Sequence, residues 1–210
     1  VVVAGGVAFF LFWRAVYKNN TNLESGQVAY LFVKTGSNYT DLINNLDKSG
    51  LLKNQETFKW LAGRKNLPNH VYPGRYEFAS GMCNDELINM LRSGAQKPLN
   101  VIFNSLRTID QMAGVVGAQI EADSASIADY IKSSAFEENF GFDHQKAPAM
   151  FIPNTYEFYW NTSAEQFAGR MFSEYNNYWN DERIALAEKH RLSAVEATIM
   201  ASIVDKETIK

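Results

Sequence analysis

The chain has 210 residues, 46% of them hydrophobic and 13% aromatic, which is enough for a sizeable core and too much for a disordered chain. A formal net charge of −3 supplies no global basic field for nucleic acid. One cysteine, Cys83, excludes an intramolecular disulfide framework and multi-cysteine zinc patterns, and His70, His144 and His190 are too scattered for a His-rich metal site.

The first thirteen residues, VVVAGGVAFFLFW, carry no charge. At ~1.5 Å per residue they reach roughly 20 Å, short of the ~30 Å hydrocarbon core of a bilayer. A buried core helix and the outer half of a membrane anchor both fit this run. The flanks favour the anchor, because Trp13 and Tyr17 bracket Arg14 as at an aromatic belt and a polar stretch follows. No small-x-small pattern marks a signal-peptide cleavage site. At the other end, Ile209-Lys210 stands in a helical pattern without Gly or Pro, so both ends are expected to be cut. The expected divisions are a partial transmembrane anchor over 1–17, a polar linker over 18–26, an α+β module over 27–97 and a mainly helical region over 98–210.

Gln27–Val33 has the β-branched and aromatic content of a strand. Ser37–Asp41 opens a helix closed by Gly50, and a second helix runs from Asn54 to Gly63. Arg75–Phe78 alternates as a strand after the Pro73-Gly74 turn. Asn84 is expected to cap a helix ending at Gly94, and Leu99–Phe103 is the next strand. Helical patterns then cover 108–119, 124–133, 163–178 and 181–190. Between them, 151–160 is too aromatic for an ordinary exposed loop; it suits either stacking on sugar rings or core packing, with periodicity favouring the core for Phe151, Tyr156 and Phe158.

Few groups can carry chemistry. No Gly-x-Ser-x-Gly elbow, His-Glu-x-x-His helix, P-loop or dinucleotide fingerprint occurs, and nothing local to Cys83 supplies a base. The final helix is more informative. Ser193 and Glu196 form a capping box, and at ~100° per residue from Val195 the apolar stripe places Ile199 at ~40°, Ile203 at ~80°, Met200 at ~140° and Val204 at ~180°. Glu207 falls at ~120°, inside the stripe, whereas Asp205 falls at ~280°, on the opposite side. A carboxyl held against apolar neighbours stays protonated more readily and can serve as a general acid. The alternative is a stripe that ends at Val204, leaving Glu207 solvated.

Three motifs resemble one family. Met200-Ala201-Ser202-Ile203-Val204-Asp205-Lys206-Glu207-Thr208 is similar to the signature helix of the MltG (YceG-like) endolytic murein transglycosylases. Phe151–Phe158 resembles that family's Phe/Leu-x-Pro-(Asp/Asn)-Thr-Tyr-x-Phe segment, and Tyr72–Phe78 its Gly-x-Tyr-x-Phe strand. The family normally has Glu where this chain has Asp205.

The resemblance implies an α+β fold: a LysM-like β-α-α-β module followed by a mainly helical, incomplete catalytic domain. It implies a lyase that cleaves the MurNAc-β-1,4-GlcNAc bond of nascent peptidoglycan and leaves 1,6-anhydro-MurNAc ends, limiting strand length. Glu207 takes the position of the catalytic acid, and Thr155, Tyr156 and Glu157 are the candidates for lining the groove. Neither metal nor cofactor is implied. The expected partners are glycan strands, cell-wall synthases and, through the N-terminal segment, the membrane; the expected location is the bacterial inner membrane, single-pass, with the catalytic domain on the periplasmic or outer side. The rival reading is a non-catalytic membrane-anchored glycan-binding or scaffold protein.

Overall fold

Side-chain caps set most element boundaries in this chain. The structure, a computed structural model, describes residues 2–104 and 108–208. Helix α1 spans Val2–Tyr17, followed by β1 (Val28–Val33), α2 (Tyr39–Ser49), α3 (Gln55–Arg64), β2 (Gly74–Ala79) and α4 (Asn84–Ser93). Then come β3 (Leu99–Phe103), α5 (Ile109–Gly117), α6 (Ser124–Ile131), α7 (Ser134–Phe140), β4 (Asn154–Phe158), α8 (Ala164–Tyr178), α9 (Asp181–Lys189) and α10 (Ala194–Thr208). Asn38 and Asp41 form a reciprocal capping box on α2, which Gly50 closes in the left-handed conformation at φ 62°. Asn54, Thr108 and Ser163 accept backbone N–H groups at the starts of α3, α5 and α8. The expectations for Val1, Ile209 and Lys210, and for the direction of the Asp205 side chain, lie outside the described residues.

The chain is mixed α+β and mostly helical, with two antiparallel two-stranded sheets, β1–β2 and β3–β4. Isolated two-stranded ribbons are marginal in water, so each needs helices behind it. Two compact units result, one of Val1–Pro98 with Tyr159–Asn161 and one of Leu99–Phe158 with Thr162–Lys210. In the first, the order β1-α2-α3-β2 closes the ribbon over Leu31, Leu42, Leu46, Phe58, Tyr76 and Phe78, all buried. In the second, Val101, Phe103, Tyr156 and Phe158 of the ribbon meet Ile127, Phe136, Phe167 and Met171 of the helices. Helices α5 and α6 approach so closely that a Cβ on Gly117 would lie 2.6 Å from the Ser124 nitrogen, which only glycine tolerates. Helix α7 was not anticipated from the sequence; it is short, and only Phe136 buries its side chain.

Helix α1 is 16 residues long, and among the described residues no helix is long and apolar enough to cross a membrane. Its C-terminal turns pack within the first unit: Val16 is buried in that core and Phe12 meets Trp60 edge-on at 5.9 Å.

One expectation changes here. Asn84 does not cap α4. Cys83 holds the cap position, its N–H donating to the Glu86 carboxylate at 2.9 Å, while Asn84 is the first helical residue and turns inward. Within 18–26, the stretch expected as a polar linker, Asn20 and Thr21 are buried while most of the other residues are exposed. The buried polar groups of Asn20 and Asn84 are paired, as burial requires. The Asn84 amide donates to the Ala15 carbonyl (2.9 Å) and to Thr57 Oγ1 (3.1 Å), and its Oδ1 accepts from Asn20 (2.7 Å). Asn20 also donates to the Asn54 carbonyl and accepts from the Asn54 N–H, both at 2.8 Å.

Asn20→Ala leaves the Asn54 N–H and the Asn84 side-chain Oδ1 without the partners they have here, so it is expected to lower the unfolding free energy by ~1–3 kcal/mol. The exposed control Asn44→Ala should stay within ~0.5 kcal/mol of wild type. Urea denaturation measures both, and an Asn20→Ala variant as stable as the control would mean that the network contributes nothing.

Two core tyrosines generate a pH dependence. Burial pushes Tyr76 and Tyr156 up to about 12, with the neighbouring Tyr72 and Glu174 respectively adding to the shift. Unfolded tyrosine ionises near pH ~10, so between pH ~10 and the native value the unfolded chain holds fewer protons than the folded one. Stability from these phenols is therefore complete below pH ~10 and is lost as pH rises toward about 12. Tyr76→Phe and Tyr156→Phe should each flatten this alkaline decline; an unchanged decline in both variants would assign it to other groups.

Candidate functional site

The β3–β4 ribbon determines which face each residue of the aromatic segment uses. Side chains alternate along a strand, and in β4 Thr155 and Glu157 are exposed while Tyr156 and Phe158 are buried. Across the ribbon Thr155 pairs with Ile102 and Glu157 with Asn100, so the outer face carries Ile102, Thr155, Asn100 and Glu157. Tyr156 lies on the other side. Its ring is 5.6 Å from Phe103, and its hydroxyl donates to the Ile152 carbonyl at 2.6 Å. The three candidate groove residues are thus separated: Thr155 and Glu157 share an exposed face, and Tyr156 is a core residue with its hydroxyl already bonded. The period of two, visible in Tyr156 and Phe158, was the signal for this division.

Phe151 is buried as well and stacks on Phe167 with ring centroids 5.9 Å apart and planes 9° from parallel. Tyr159 and Trp160, at the end of the same segment, belong to the first unit. There Trp160 meets Phe32 at 5.0 Å. The outer face of the β1–β2 ribbon carries Tyr30 and Phe32 opposite Glu77 and Arg75, with the Arg75 guanidinium 4.1 Å from the Tyr30 ring centre. Tyr30, Phe32 and Tyr159 are exposed. Aromatic faces interleaved with an acid and a guanidinium suit a sugar's apolar face and its hydroxyls. Sequence reasoning did not single out these residues, although Tyr30 and Phe32, two apart in a strand, marked an aromatic outer face.

Glu207 stands on α10. The capping box forms as expected: Ser193 N–H donates to Glu196 Oε2 at 2.8 Å, and Glu196 N–H donates to Ser193 Oγ at 3.3 Å. The first turn is anchored, because Ala194 and Val195 pack on the second core and the helix lies against the short 3₁₀ turn Ala147–Met150. Farther along, Ile199, Met200, Ile203 and Val204 are 45–56% exposed, and Glu207 is exposed too. Twelve residues at ~1.5 Å put Glu207 roughly 18 Å along the axis from Val195. The helical wheel groups Glu207 with apolar neighbours, but a shared face is not a covered one, and here those neighbours are exposed.

A shallow cleft on the second unit is lined by Phe103, Asn104, Thr108, Met112, Pro148 and Phe151. Pro148 sits on the same turn that supports α10, whereas Glu207, Thr155, Tyr156 and Glu157 do not line the cleft. Burial pushes the Cys83 thiol above its ordinary value, which favours the neutral form.

A family model described as YceG-like matches residues 31–210. Among solved structures, the chain is similar to a yceG-like protein from Listeria monocytogenes, at 19% sequence identity and a TM-score of 0.42, over 80% of this chain and 60% of that one. The chain therefore spans 60% of that protein's length. No curated protein matches it. With the family match extending over β1 to the end of α10, the chain belongs to the YceG-like family.

Proposed function

We propose that the chain is part of a membrane-anchored lytic transglycosylase that cuts nascent glycan strands internally, with Glu207 as its acid. The observation that carries this reading is α10: a helix that begins in a formed capping box, is anchored by Ala194 and Val195, and presents Glu207 on an otherwise apolar stripe. Family membership supports the reaction class, and the MltG members are known as endolytic transglycosylases.

The reaction needs little from the protein. The Glu207 carboxyl donates its proton to the glycosidic oxygen as the C1–oxygen bond breaks. The resulting carboxylate then takes the proton of the muramic C6 hydroxyl as that oxygen bonds to C1, closing the 1,6-anhydro ring and restoring the acid. Water is neither added nor released. Ordinary glycoside hydrolysis instead employs two carboxyl groups roughly 5–9.5 Å apart. Thr155 and Glu157, on the outer face of the β3–β4 ribbon, are retained as candidate contacts to the strand; Tyr156 acts through packing. The aromatic outer face of the β1–β2 ribbon offers a second place to hold glycan.

In digests of isolated sacculi by the full-length protein, Glu207→Gln is expected to lower cleavage by roughly a hundred- to ten-thousand-fold, the usual contribution of a general acid. Because Glu207 is exposed, the variant should unfold at the same denaturant concentration as wild type. Retained glycan pull-down with lost cleavage supports catalysis at Glu207. Equal cleavage by both proteins would overturn its role, and binding without cleavage in wild type would favour the non-catalytic scaffold.

A further inference from the structure

The end of α1 and the start of α3 form a cleft of about 390 Å³ lined by Arg14, Lys18, Asn19, Lys53, Asn54 and Thr57. Its chemistry is one-sided. Arg14 and Lys18 stand one helical turn apart, the Lys18 N–H donating to the Arg14 carbonyl at 3.2 Å, and Lys53 is brought beside them because its N–H donates to the Asn20 carbonyl at 2.8 Å. Among the described residues none of these three cations has a carboxylate within ion-pair distance, and no carboxylate lines the cleft. The N-terminal turn of α3, opened by Asn54 and Thr57, adds the positive end of a helix dipole.

What lies beside the cleft identifies the occupant. The preceding turns of α1 expose Phe9, Phe10, Leu11, Phe12 and Trp13, and Trp13 and Tyr17 form a tilted aromatic pair at 6.4 Å next to Arg14. Apolar side chains of this number and continuity call for a hydrocarbon environment rather than water, and paired Trp and Tyr suit the headgroup level. A cationic recess at that level meets phosphate first. We infer that this cleft binds the phosphate headgroup of an anionic phospholipid, fixing the first unit against the membrane surface. The inference rests on the proposed membrane position of α1. The buried Asn20–Asn84 network ties the end of α1 to α3 and α4, the backbone from which the three cations extend.

The test uses the 210-residue chain in neutral-detergent micelles, titrated with short-chain phosphatidylglycerol, short-chain phosphatidylcholine or inorganic phosphate while the amide resonances of Asn20, Lys53 and Asn54 are followed. Phosphatidylglycerol should shift these resonances. The double variant Lys18→Gln/Lys53→Gln should weaken its binding about 25-fold, at ~fivefold per lysine. Exposed lysines elsewhere, changed in Lys48→Gln/Lys97→Gln, should leave binding as it was. Equal weakening by the two pairs would mean diffuse surface charge and overturn the site. An equal response to phosphatidylcholine would overturn recognition of an anionic headgroup, and an equal response to inorganic phosphate would overturn the lipid as its source. Flotation with zwitterionic vesicles reports α1 separately: lost flotation with the phosphatidylglycerol shifts intact would sink the membrane position of α1 and leave the cleft's preference standing.

Discussion

The first unit depends on two buried asparagines. Asn84 and Asn20 sit where α1 ends, where α3 begins and where α4 begins, and between them they satisfy the Ala15 carbonyl and both backbone groups of Asn54. Amides buried without partners would cost more than an apolar core gains by enclosing them. With each hydrogen bond made, they prevent α1 from swinging freely on its polar continuation. The apolar helix, its aromatic collar and the basic cleft therefore keep a constant relation to the β1–β2 ribbon. Two residues of the polar segment, Asn20 and Thr21, are thus part of the packed unit.

The second unit uses a simpler constraint. Strand alternation sends Tyr156 and Phe158 into the core and leaves Thr155 and Glu157 outside, so each strand serves packing and surface at once. The core then seats the first turn of α10 through Ala194 and Val195, and the remaining turns carry Glu207 outward. Position along the helix, more than burial in the described residues, makes this carboxyl distinctive. The proposed mechanism passes one proton out and takes one back, and under that proposal Glu207, exposed near the end of a helix seated on the second core, is the group that does both.

Local chemistry made much of the fold legible. Asn38 with Asp41, Asn54, Ser163 with Gln166, and Ser193 with Glu196 announce helix starts, and Gly50 and Gly94 announce helix ends, because the partners lie within one turn of each other. What was hidden depends on partners distant in sequence. Asn20 and Asn84 are 64 positions apart, so neither could be recognised as buried from its neighbours; Asn84 looked like a cap because helix-start asparagines usually are. Pairing of β3 with β4 crosses four helical segments. At the site, the wheel placed Glu207 among apolar residues but could not say whether anything covers that face, and Thr155, Tyr156 and Glu157 divide between the two faces of β4 as the strand's period of two, already read as favouring the core for Tyr156, requires. The motifs of α10 and of the aromatic segment were legible as a resemblance, and the family match over 31–210 bears that out.

The proposed chemistry is tested most directly by the fate of solvent oxygen. Sacculi digested by the full-length protein in heavy-oxygen water yield muramyl ends whose masses report the nucleophile. Intramolecular closure by the C6 hydroxyl predicts anhydro ends with no heavy oxygen at C1. Reducing ends that carry heavy oxygen would contradict it and assign the cleavage to water.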